Sequence, residues 1–355
     1  MNSTNLVLPP LSVLYSAIVR TRLAAYSSGF LSPTTLDVPV ISVGNLTVGG
    51  TGKTPLVEKI CRLVFAENRQ VCVLTRGYKR NQPNKRVLVS DSKSVLSNEE
   101  DAGDEAFLLA QNLLGMSAVI SDADRAAAGN WAIENLGIDC FVLDDGFQHL
   151  QLTRDLNVLV IDATDPWGGN ELLPAGKLRE PLSGAARADC FVLTRTEANP
   201  DVGSITQRLQ QLAPGKPILS SRIKMKQLRQ LTNSGSFDLS SPVAAFCGVG
   251  NPDSFFRMLQ RAAHQVVLTK AFTDHHRYTQ SEIDTLITAA RNRGATQLIT
   301  TAKDAVKLDS LEFSLSCHVL DIEIELQQEE QLLTLIRRIL KPNKSVTNVV
   351  PRSTP

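Results

Sequence analysis

The stretch VISVGNLTVGGTGKTP (residues 40–55) joins an apolar segment, a glycine-rich loop and the start of a helical pattern. Backbone N–H groups of such a loop can turn inward around phosphate oxygens, and the following helix adds the positive end of its dipole. Lys53 would then reach the terminal phosphates of a nucleotide, and Thr54 would bind Mg²⁺. The stretch therefore predicts a phosphate-binding loop at the end of a buried strand.

The loop departs from the usual G-x-x-x-x-G-K-[ST] pattern at one position, because Thr47 stands where the first glycine is expected. A glycine-rich turn unrelated to nucleotides is the alternative. The strand–loop–helix context favours the phosphate loop. The residues predicted to surround the nucleotide phosphates are Thr47, Val48, Gly49, Gly50, Thr51, Gly52, Lys53 and Thr54.

Short apolar segments alternate with helical patterns along most of the chain. This alternation predicts the α/β class, with a parallel sheet covered by helices on both faces. Residues 81–100 are polar and turn-rich and are interpreted as an excursion from the sheet. The predicted strands are 38–44, 71–75, 139–143, 157–162, 190–195, 242–250, 264–270, 296–301 and 317–326.

The pattern restarts after residue 216, which predicts a second and smaller α/β/α domain after a P-loop NTPase-like first domain. Residues 218–228 alternate in polarity and, together with 317–326, predict a two-stranded hinge between the domains. The tail beyond Lys341 is rich in proline, serine and threonine and is predicted to be disordered.

Composition excludes some classes of function. The 355 residues include 37 basic and 36 acidic side chains, and only 5% are aromatic. A nucleic-acid-binding protein would show a basic excess and aromatic stacking residues, so no nucleic-acid partner is expected. The six cysteines are widely spaced within apolar segments, which indicates reduced thiols in the core.

The N-terminal segment LSVLYSAIV (residues 11–19) is apolar but too short to span a membrane, which takes about 20 residues. Leu14, Ile18 and Val19 could share one face of a helix, with Arg20 and Arg22 near its end. Two interpretations stay open from this pattern: a helix lying in a membrane interface, or a short helix packed on the domain.

Acidic residues follow predicted strands or begin predicted helices. Asp144 and Asp145 end the strand DCFVL, where a P-loop site places a carboxylate near Mg²⁺. Asp104, in DAGDEA, could accept the proton of an acceptor hydroxyl, although it also suits the first turn of a helix. In TDHHRY (273–278), one histidine could orient such a carboxylate across a domain cleft.

The segment GNELLPAGKLREPL (169–182) places Arg179 and Glu180 between two prolines. Arg179 could clamp a phosphate, and Glu180 could assist in binding Mg²⁺. A rigid surface loop is the alternative.

These segments together resemble the tetraacyldisaccharide 4′-kinase family, the lipid A kinases of Gram-negative bacteria. The matching segments follow the family order from residue 11 to residue 308, and DDGFQH and LPAGxLREP are highly specific. The family's loop accepts threonine at the position of Thr47. The segments are PVISVGNLTVGGTGKTP, TRGY, GDEA, VLDDGFQHL, LLPAGKLREPL, FCGVGNP, FTDHHRY and TAKDAVKL.

The resemblance implies that the γ-phosphate of ATP moves to the 4′-hydroxyl of a tetraacylated glucosamine disaccharide 1-phosphate, giving lipid IVA. It implies Mg²⁺, bound by Thr54, Asp144, Asp145 and Glu180. It also implies a catalytic carboxylate at Asp104 paired with His275, which is preferred over His276 because it follows Asp274. Further positions implied by the resemblance are Lys53, Asp144, Arg125 and Arg179 in catalysis, and Tyr78, Gln148 and His149 near the nucleotide.

The resemblance also implies a peripheral or monotopic protein on the cytoplasmic face of the bacterial inner membrane. Residues 1–35 would then form a membrane-associating helix, which favours the interfacial interpretation. The remaining division is a P-loop kinase domain at 36–216, a second domain with the hinge strands at 217–326, and a C-terminal helix and tail at 327–355.

Two rival functions remain at this point. One is a P-loop ATPase or GTPase acting as a switch or metal-insertion factor. Such ATPases carry a signature lysine at the position of Val48. A GTPase would carry a guanine-binding N-K-x-D motif, which TAKD (301–304) matches only loosely. The other is a non-catalytic nucleotide-binding scaffold, which leaves Asp104, His275 and the REP segment unexplained.

Overall fold

The computed structural model describes residues 4–341, apart from 79, 200, 232–237, 239 and 263–264, with side chains from residue 10 onward. The predicted tail after Lys341 therefore lies outside the described residues. Within them, the strands are β1 (Val40–Asn45), β2 (Val71–Thr75), β3 (Val87–Asp91), β4 (Ser117–Ser121), β5 (Cys140–Asp144), β6 (Leu156–Asp162), β7 (Cys190–Thr194), β8 (Ile218–Gln230), β9 (Val243–Cys247), β10 (Val266–Ala271), β11 (Gln297–Thr301) and β12 (Ser316–Leu326).

Helices cover both faces of these strands. Short 3₁₀ helices occur at Gly168–Asn170, Leu182–Arg187 and Thr196–Ala198. The α-helices of the described part are α1 (Thr4–Ser27), α2 (Lys53–Ala66), α3 (Glu99–Ala102), α4 (Asp104–Asn112), α5 (Arg125–Leu136), α6 (Val202–Leu212), α7 (Pro252–Arg261), α8 (Gln280–Asn292), α9 (Ala302–Ala305) and α10 (Glu329–Leu340).

All the strands of the described part belong to one sheet, in the order β10-β9-β11-β12-β8-β7-β6-β1-β5-β2-β4-β3. We call β1–β7 with their helices the first unit, and β9–β11 with α7–α9 the second unit. Strands β1, β5, β6 and β7 run parallel, so their carboxyl ends meet at one edge of the sheet. In open parallel sheets this edge is where ligands bind.

Strand β1 is buried along its whole length, which fits a central strand covered on both faces. The chain then turns at Gly52, whose φ of 85° lies in the left-handed region that glycine adopts without strain. Helix α2 buries an apolar face against the sheet, and no side chain caps its N-terminus. Its first backbone N–H groups therefore remain available to a ligand at the edge of the sheet.

Strands β8 and β12 form a two-stranded antiparallel ribbon that joins the two units. The start of β8 pairs in parallel with β7, as in the Phe191–Ile218 pair. The rest of β8 pairs with β12, from Leu326–Ser221 to His318–Gln230. Because β12 also pairs with β11, the sheet continues without a break, and the predicted two-stranded connection is confirmed.

Helix α10 returns the chain to the first unit after the second unit is complete. Its buried residues Leu332 and Ile336 join the same core as Ile60 of α2. Lys59 and Glu329 form an ion pair at 2.7 Å between α2 and α10. The predicted C-terminal helix is therefore present and packs against α2, the helix that follows the phosphate loop.

Two strands of the first unit differ from the prediction. Strand β3 lies inside residues 81–100, which were predicted to be an excursion, and pairs antiparallel with β4 at the edge of the sheet. Strand β4 was not predicted at all. Each combines three apolar residues with two polar ones (VLVSD and SAVIS), so neither forms the nearly continuous apolar run that identified the other short strands.

Helix α1 covers the apolar segment at residues 11–19 and extends beyond it at both ends. Among the described helices, α1 included, we find none with the length and apolarity that crossing a bilayer demands. All six cysteines are buried and free, in agreement with the predicted core thiols.

Candidate active site

A cleft of about 1040 Å³ lies between the two units. Its walls include the phosphate loop and Asp144 on one side, and Asn251, His275 and Lys303 on the other. This volume is at the upper end of the range of pockets that hold small molecules. The cleft therefore has room for a nucleotide together with part of a second substrate.

Side chains behind the phosphate loop hold its carbonyl groups. Thr194 Oγ1 donates to the carbonyl of Thr51 at 2.9 Å, and Arg195 donates to the carbonyl of Gly50 at 2.6 Å. The second unit closes on the front of the loop, since a Cβ on Gly250 would lie 3.0 Å from the backbone nitrogen of Gly50. Only glycine fits this close approach of two backbones.

Lys53 is the first residue of α2 and points along the end of β1. Its Nζ donates to Asn45 Oδ1 at 3.1 Å and lies 3.6 Å from Asp145 Oδ1. Asn45 also donates to the carbonyl of Thr47, which ties the lysine to the start of the loop. The ammonium group is thus held where phosphate oxygens would approach the helix N-terminus.

The acidic pair after β5 consists of two carboxylates in opposite environments. Asp144 is 2% exposed, and the neighbouring Asp145 Oδ1 is buried without a hydrogen-bond partner among the described residues. Burial, with Glu105 and Asp145 nearby, raises the pKa of Asp144 to about 7. Burial acts on Asp145 too, but the charges of Lys53 and Arg179 outweigh it and lower its pKa. Arg179 donates to Asp145 at 2.6 Å.

Buried carboxylate lone pairs without donors are the kind of ligand that a hard cation takes. Asp145 Oδ1 meets this description, and it follows Asp144, which ends the strand beside the one that leads into the phosphate loop. The described residues contain no preformed cluster of three or more His, Cys, Asp or Glu side chains around a cation position. A cation here would need ligands from the nucleotide and from water as well.

Glu180 lies deeper than the other predicted metal ligands and is 1% exposed. Both of its oxygens accept hydrogen bonds from Arg187, at 2.7 and 2.8 Å, and Gln148 donates to it at 2.9 Å. Gln148 also donates to the carbonyl of Asn45. Glu180 therefore fixes Gln148 against the start of the phosphate loop, with its own lone pairs largely in use.

Two more predicted residues flank the acidic pair. Arg125 is buried at the start of α5 and donates to the carbonyl of Asp145 at 3.2 Å. Burial, with the positive charges of Arg125 and Arg154, lowers the pKa of His149 to about 4. His149 is therefore neutral at physiological pH and cannot add positive charge to the site.

Asp104 and His275 meet across the cleft although 171 residues separate them. His275 Nδ1 lies 2.6 Å from Asp104 Oδ2. Asp104 begins α4, where the helix dipole favours a negative charge. Burial alone would raise the pKa of Asp104, but the hydrogen bond from His275 and the charge of Lys303 outweigh it and lower the pKa.

The backbone of His275 adopts a left-handed conformation, with φ of 60°, and its N–H donates to the carbonyl of Gly248. The ring of Tyr78 lies 5.3 Å from the His275 ring. The neighbouring His276 instead contacts Glu282 at 3.1 Å, away from Asp104. Of the two histidines, His275 is thus the one that faces the cleft.

Asp304 of the TAKD segment is completely buried. Its carboxylate accepts from the N–H of Gly248 at 3.0 Å and from the hydroxyl of Tyr278 at 2.9 Å. These bonds hold the loop after β9 against the segment that carries His275. Asp304 is therefore not available to bind a guanine base, which removes the main support for the GTPase alternative.

The predicted site residues line this cleft except for Thr47, Asp104 and His149, and Asp104 reaches it through its contact with His275. Sequence reasoning missed several side chains that hold the site together. Their residue types alone give no signal, and the partners of Arg195, Lys303 and Asp304 are distant in the chain. They are Asn45, Arg187, Arg195, Lys303 and Asp304.

Comparison with known proteins extends over both units. A family profile described as tetraacyldisaccharide-1-P 4′-kinase (LpxK) matches residues 4–341. The tetraacyldisaccharide 4′-kinase of Geobacter metallireducens is 41% identical over 339 residues, which cover 94% of this chain and 98% of that protein. The Pelobacter propionicus protein of the same name is 40% identical over 324 residues, which cover 90% of this chain and 88% of that protein.

A crystal structure of LpxK from Aquifex aeolicus in complex with ATP is 36% identical to this chain, with a TM-score of 0.73. The match covers 93% of this chain and 98% of that one. The predicted fold, a P-loop domain joined by two strands to a smaller α/β/α domain, is confirmed. The chain belongs to the tetraacyldisaccharide-1-P 4′-kinase family.

Proposed function

We propose that this protein transfers the γ-phosphate of ATP to the 4′-hydroxyl of a tetraacylated glucosamine disaccharide 1-phosphate, forming lipid IVA in lipid A biosynthesis. The observation that carries the proposal is the Asp104–His275 pair, with 2.6 Å between Oδ2 and Nδ1, in the cleft that the phosphate loop also lines. A nucleotide switch needs no proton acceptor opposite its phosphates, so this pair favours transfer to a hydroxyl.

The phosphate loop and Lys53 would bind the β- and γ-phosphates of ATP. Mg²⁺ would supply charge neutralisation of the phosphate oxygens. Its predicted ligands are Thr54, Asp144, Asp145 and Glu180. The acidic pair fits this role best, because Asp144 is buried and Asp145 Oδ1 has no hydrogen-bond partner among the described residues, whereas Glu180 is engaged by Arg187. We assign Glu180 chiefly to holding Gln148.

Asp104 would accept the proton of the 4′-hydroxyl as the oxygen attacks the γ-phosphorus. Its lowered pKa keeps it ionised at physiological pH, so it is ready to accept. Arg179 and Arg125 place positive charge beside Asp145, where charge builds up on the phosphoryl group. Contact between Gly50 and the Gly250 segment would exclude water, which competes with the lipid as acceptor.

Residues 1–35 form the proposed membrane-associating segment, on the cytoplasmic face of the inner membrane. Helix α1 exposes the apolar side chains Leu11, Val13, Leu14 and Ile18. The same helix is fixed to the segment that carries Arg179, because the Tyr15 hydroxyl donates to the Arg179 carbonyl at 2.8 Å. The lipid would thus enter beside the active site.

We propose residues 36–216, 217–326 and 327–355 as the remaining divisions of the chain.

The test of this function is a transfer assay with radiolabelled ATP, Mg²⁺ and the disaccharide 1-phosphate in detergent micelles. We expect label to appear in the lipid, and to disappear from it when the lipid carries a 4′-deoxy sugar. Release of phosphate into water without any labelled lipid would reject the kinase assignment and support a nucleotide switch.

The proposed membrane contact predicts a loss of binding in the Leu14→Asp, Ile18→Asp double variant. Each buried Leu or Ile side chain contributes roughly 1.5–3 kcal/mol, so we expect the affinity for phospholipid vesicles to fall at least about tenfold. Vesicle flotation measures this affinity. The matched control is Leu96→Asp, which also changes an exposed apolar residue but lies far from α1. Unchanged binding in the double variant would place the membrane contact elsewhere.

A further inference from the structure

Lys303 lies in the cleft at the start of α9, and the proposed function gives it no role. Its Nζ is 3.0 Å from Glu105 Oε1, 3.3 Å from His275 Nε2 and 3.4 Å from Asp274 Oδ1. Burial would lower the pKa of this lysine, but Glu105 and the other carboxylates around it raise it above its ordinary value. The ammonium group therefore keeps its charge at every physiological pH.

An ammonium group has only donors, so the nitrogen it contacts on His275 must be an acceptor. Nε2 then carries no proton, and the proton of a neutral ring lies on Nδ1. Nδ1 is the atom that lies 2.6 Å from Asp104 Oδ2. The hydrogen bonds thus run in one direction, from Lys303 through His275 to Asp104.

We propose that Lys303 is a positioning residue that keeps His275 neutral, with its single ring proton on Nδ1 and directed at Asp104. The inference rests on the proposed role of Asp104 as the proton acceptor. Lys303 itself neither gains nor loses a proton in the reaction.

The charges around His275 explain why such a residue is needed. Asp104 and Glu105 face the histidine region from α4, and Asp274 faces it from its own loop at 3.8 Å. These carboxylates favour a positively charged imidazolium, whereas Lys303 opposes it. Lys307 adds positive charge 4.0 Å from Asp104. Without Lys303, the balance would shift towards a second proton on Nε2.

An imidazolium next to Asp104 would weaken the proposed reaction. A full positive charge at hydrogen-bond distance stabilises the carboxylate and makes it a poorer proton acceptor. A neutral ring that donates one hydrogen bond orients Asp104 with a smaller loss of basicity. Lys303 therefore acts on Asp104 in two opposed ways: its own charge lowers the pKa of the carboxylate, while a neutral His275 ring spares Asp104 a full positive charge at hydrogen-bond distance.

A purely structural role for Lys303 makes different predictions. The Lys303–Glu105 ion pair joins residues 198 positions apart, one in each unit, and it could simply hold the cleft closed. Loss of such a latch would lower activity equally at all pH values. It would also lower activity equally whether or not His275 is present.

The first test reads the histidine directly by ¹⁵N NMR, with the full-length protein labelled at its five histidines. The signal of His275 is assigned with His275→Gln. In the wild-type protein we expect a neutral ring protonated at Nδ1 near neutral pH. In Lys303→Met we expect the imidazolium at a pH where the wild-type ring is still neutral, and Lys303→Arg should restore the neutral form. An imidazolium, or a proton on Nε2, in the wild-type protein overturns the proposal even if no variant folds.

The second test is kinetic. Lys303→Met should lower kcat by about 10- to 100-fold, a part of the effect of general base catalysis, and leave the KM for ATP nearly unchanged. The acid limb of its kcat profile should move to higher pH, and Lys303→Arg should recover most of the rate. The matched control is Lys270→Met, at an exposed lysine on β10.

A double-mutant cycle separates the two roles. If Lys303 acts through His275, adding Lys303→Met to His275→Gln costs little further rate. An equal loss in both backgrounds, with an unshifted pH profile, overturns the proposal and leaves only the latch. Failure of the kinase assignment would be recognised separately, because the NMR result does not depend on phosphoryl transfer.

Discussion

Lys53→Ala will lower the rate of phosphoryl transfer by about a thousandfold. Loss of a single preorganised donor to a transition state lowers kcat by about 10²–10³-fold, and Lys53 also brings a full charge. The ammonium group is held in advance by Asn45 at 3.1 Å and stands at the uncapped N-terminus of α2. Turnover in the micelle assay at saturating ATP measures the effect.

The matched control for this variant is Lys59→Ala. Lys59 is in the same helix and forms an ion pair with Glu329, but it faces α10 and not the cleft. We expect its turnover to stay close to wild type, while unfolding occurs at a slightly lower temperature. Retention of more than about a tenth of the wild-type rate in Lys53→Ala would remove this lysine from transition-state stabilisation.

Asp104→Asn will lower kcat by about 10²–10⁴, the range for loss of a general base, with little change in the KM for ATP. The amide has nearly the same shape as the carboxylate, but it cannot accept the hydroxyl proton. The phosphate loop is not altered, so nucleotide binding should persist. Single-turnover transfer and ATP titration, measured on the same preparation, separate the two effects.

Glu100→Gln is the control for Asp104→Asn. Glu100 lies four residues earlier, in α3, and its side chain is 60% exposed near Arg277. Removing its charge tests whether the loss of any negative charge near α4 slows the enzyme. A kcat that falls equally in both variants would argue for a general electrostatic effect and against proton acceptance by Asp104.

The parts of the site that sequence predicted well are those with local signals. The phosphate loop lies between an apolar strand and an amphipathic helix, and Asp144 ends another apolar strand. Each pattern is complete within about 15 residues, so periodicity and turn chemistry could identify it. The pairing of Asp104 with His275 came from the family resemblance, because no local pattern links residues 171 positions apart.

The rest was hidden for physical reasons. Strand β3 lies at the edge of the sheet, and β4 is buried beside it but has a serine at each end, so neither forms a continuous apolar run. Lys303 looks like an ordinary charged residue of a surface segment, and only folding brings it to Glu105 and His275. Tertiary partners of this kind cannot be read from spacing within one segment.

The ribbon of β8 and β12 has a consequence for how movement between the two units could be observed. Loops at a joint exchange their amide hydrogens with solvent quickly, since they lack regular hydrogen bonds. Here the joint is a ladder that runs from Leu326–Ser221 to His318–Gln230 and continues into strands on both sides. Twisting of this ribbon would leave its amides protected, so deuterium uptake would report a rigid connection. Distances between labels on the two units would report the motion instead.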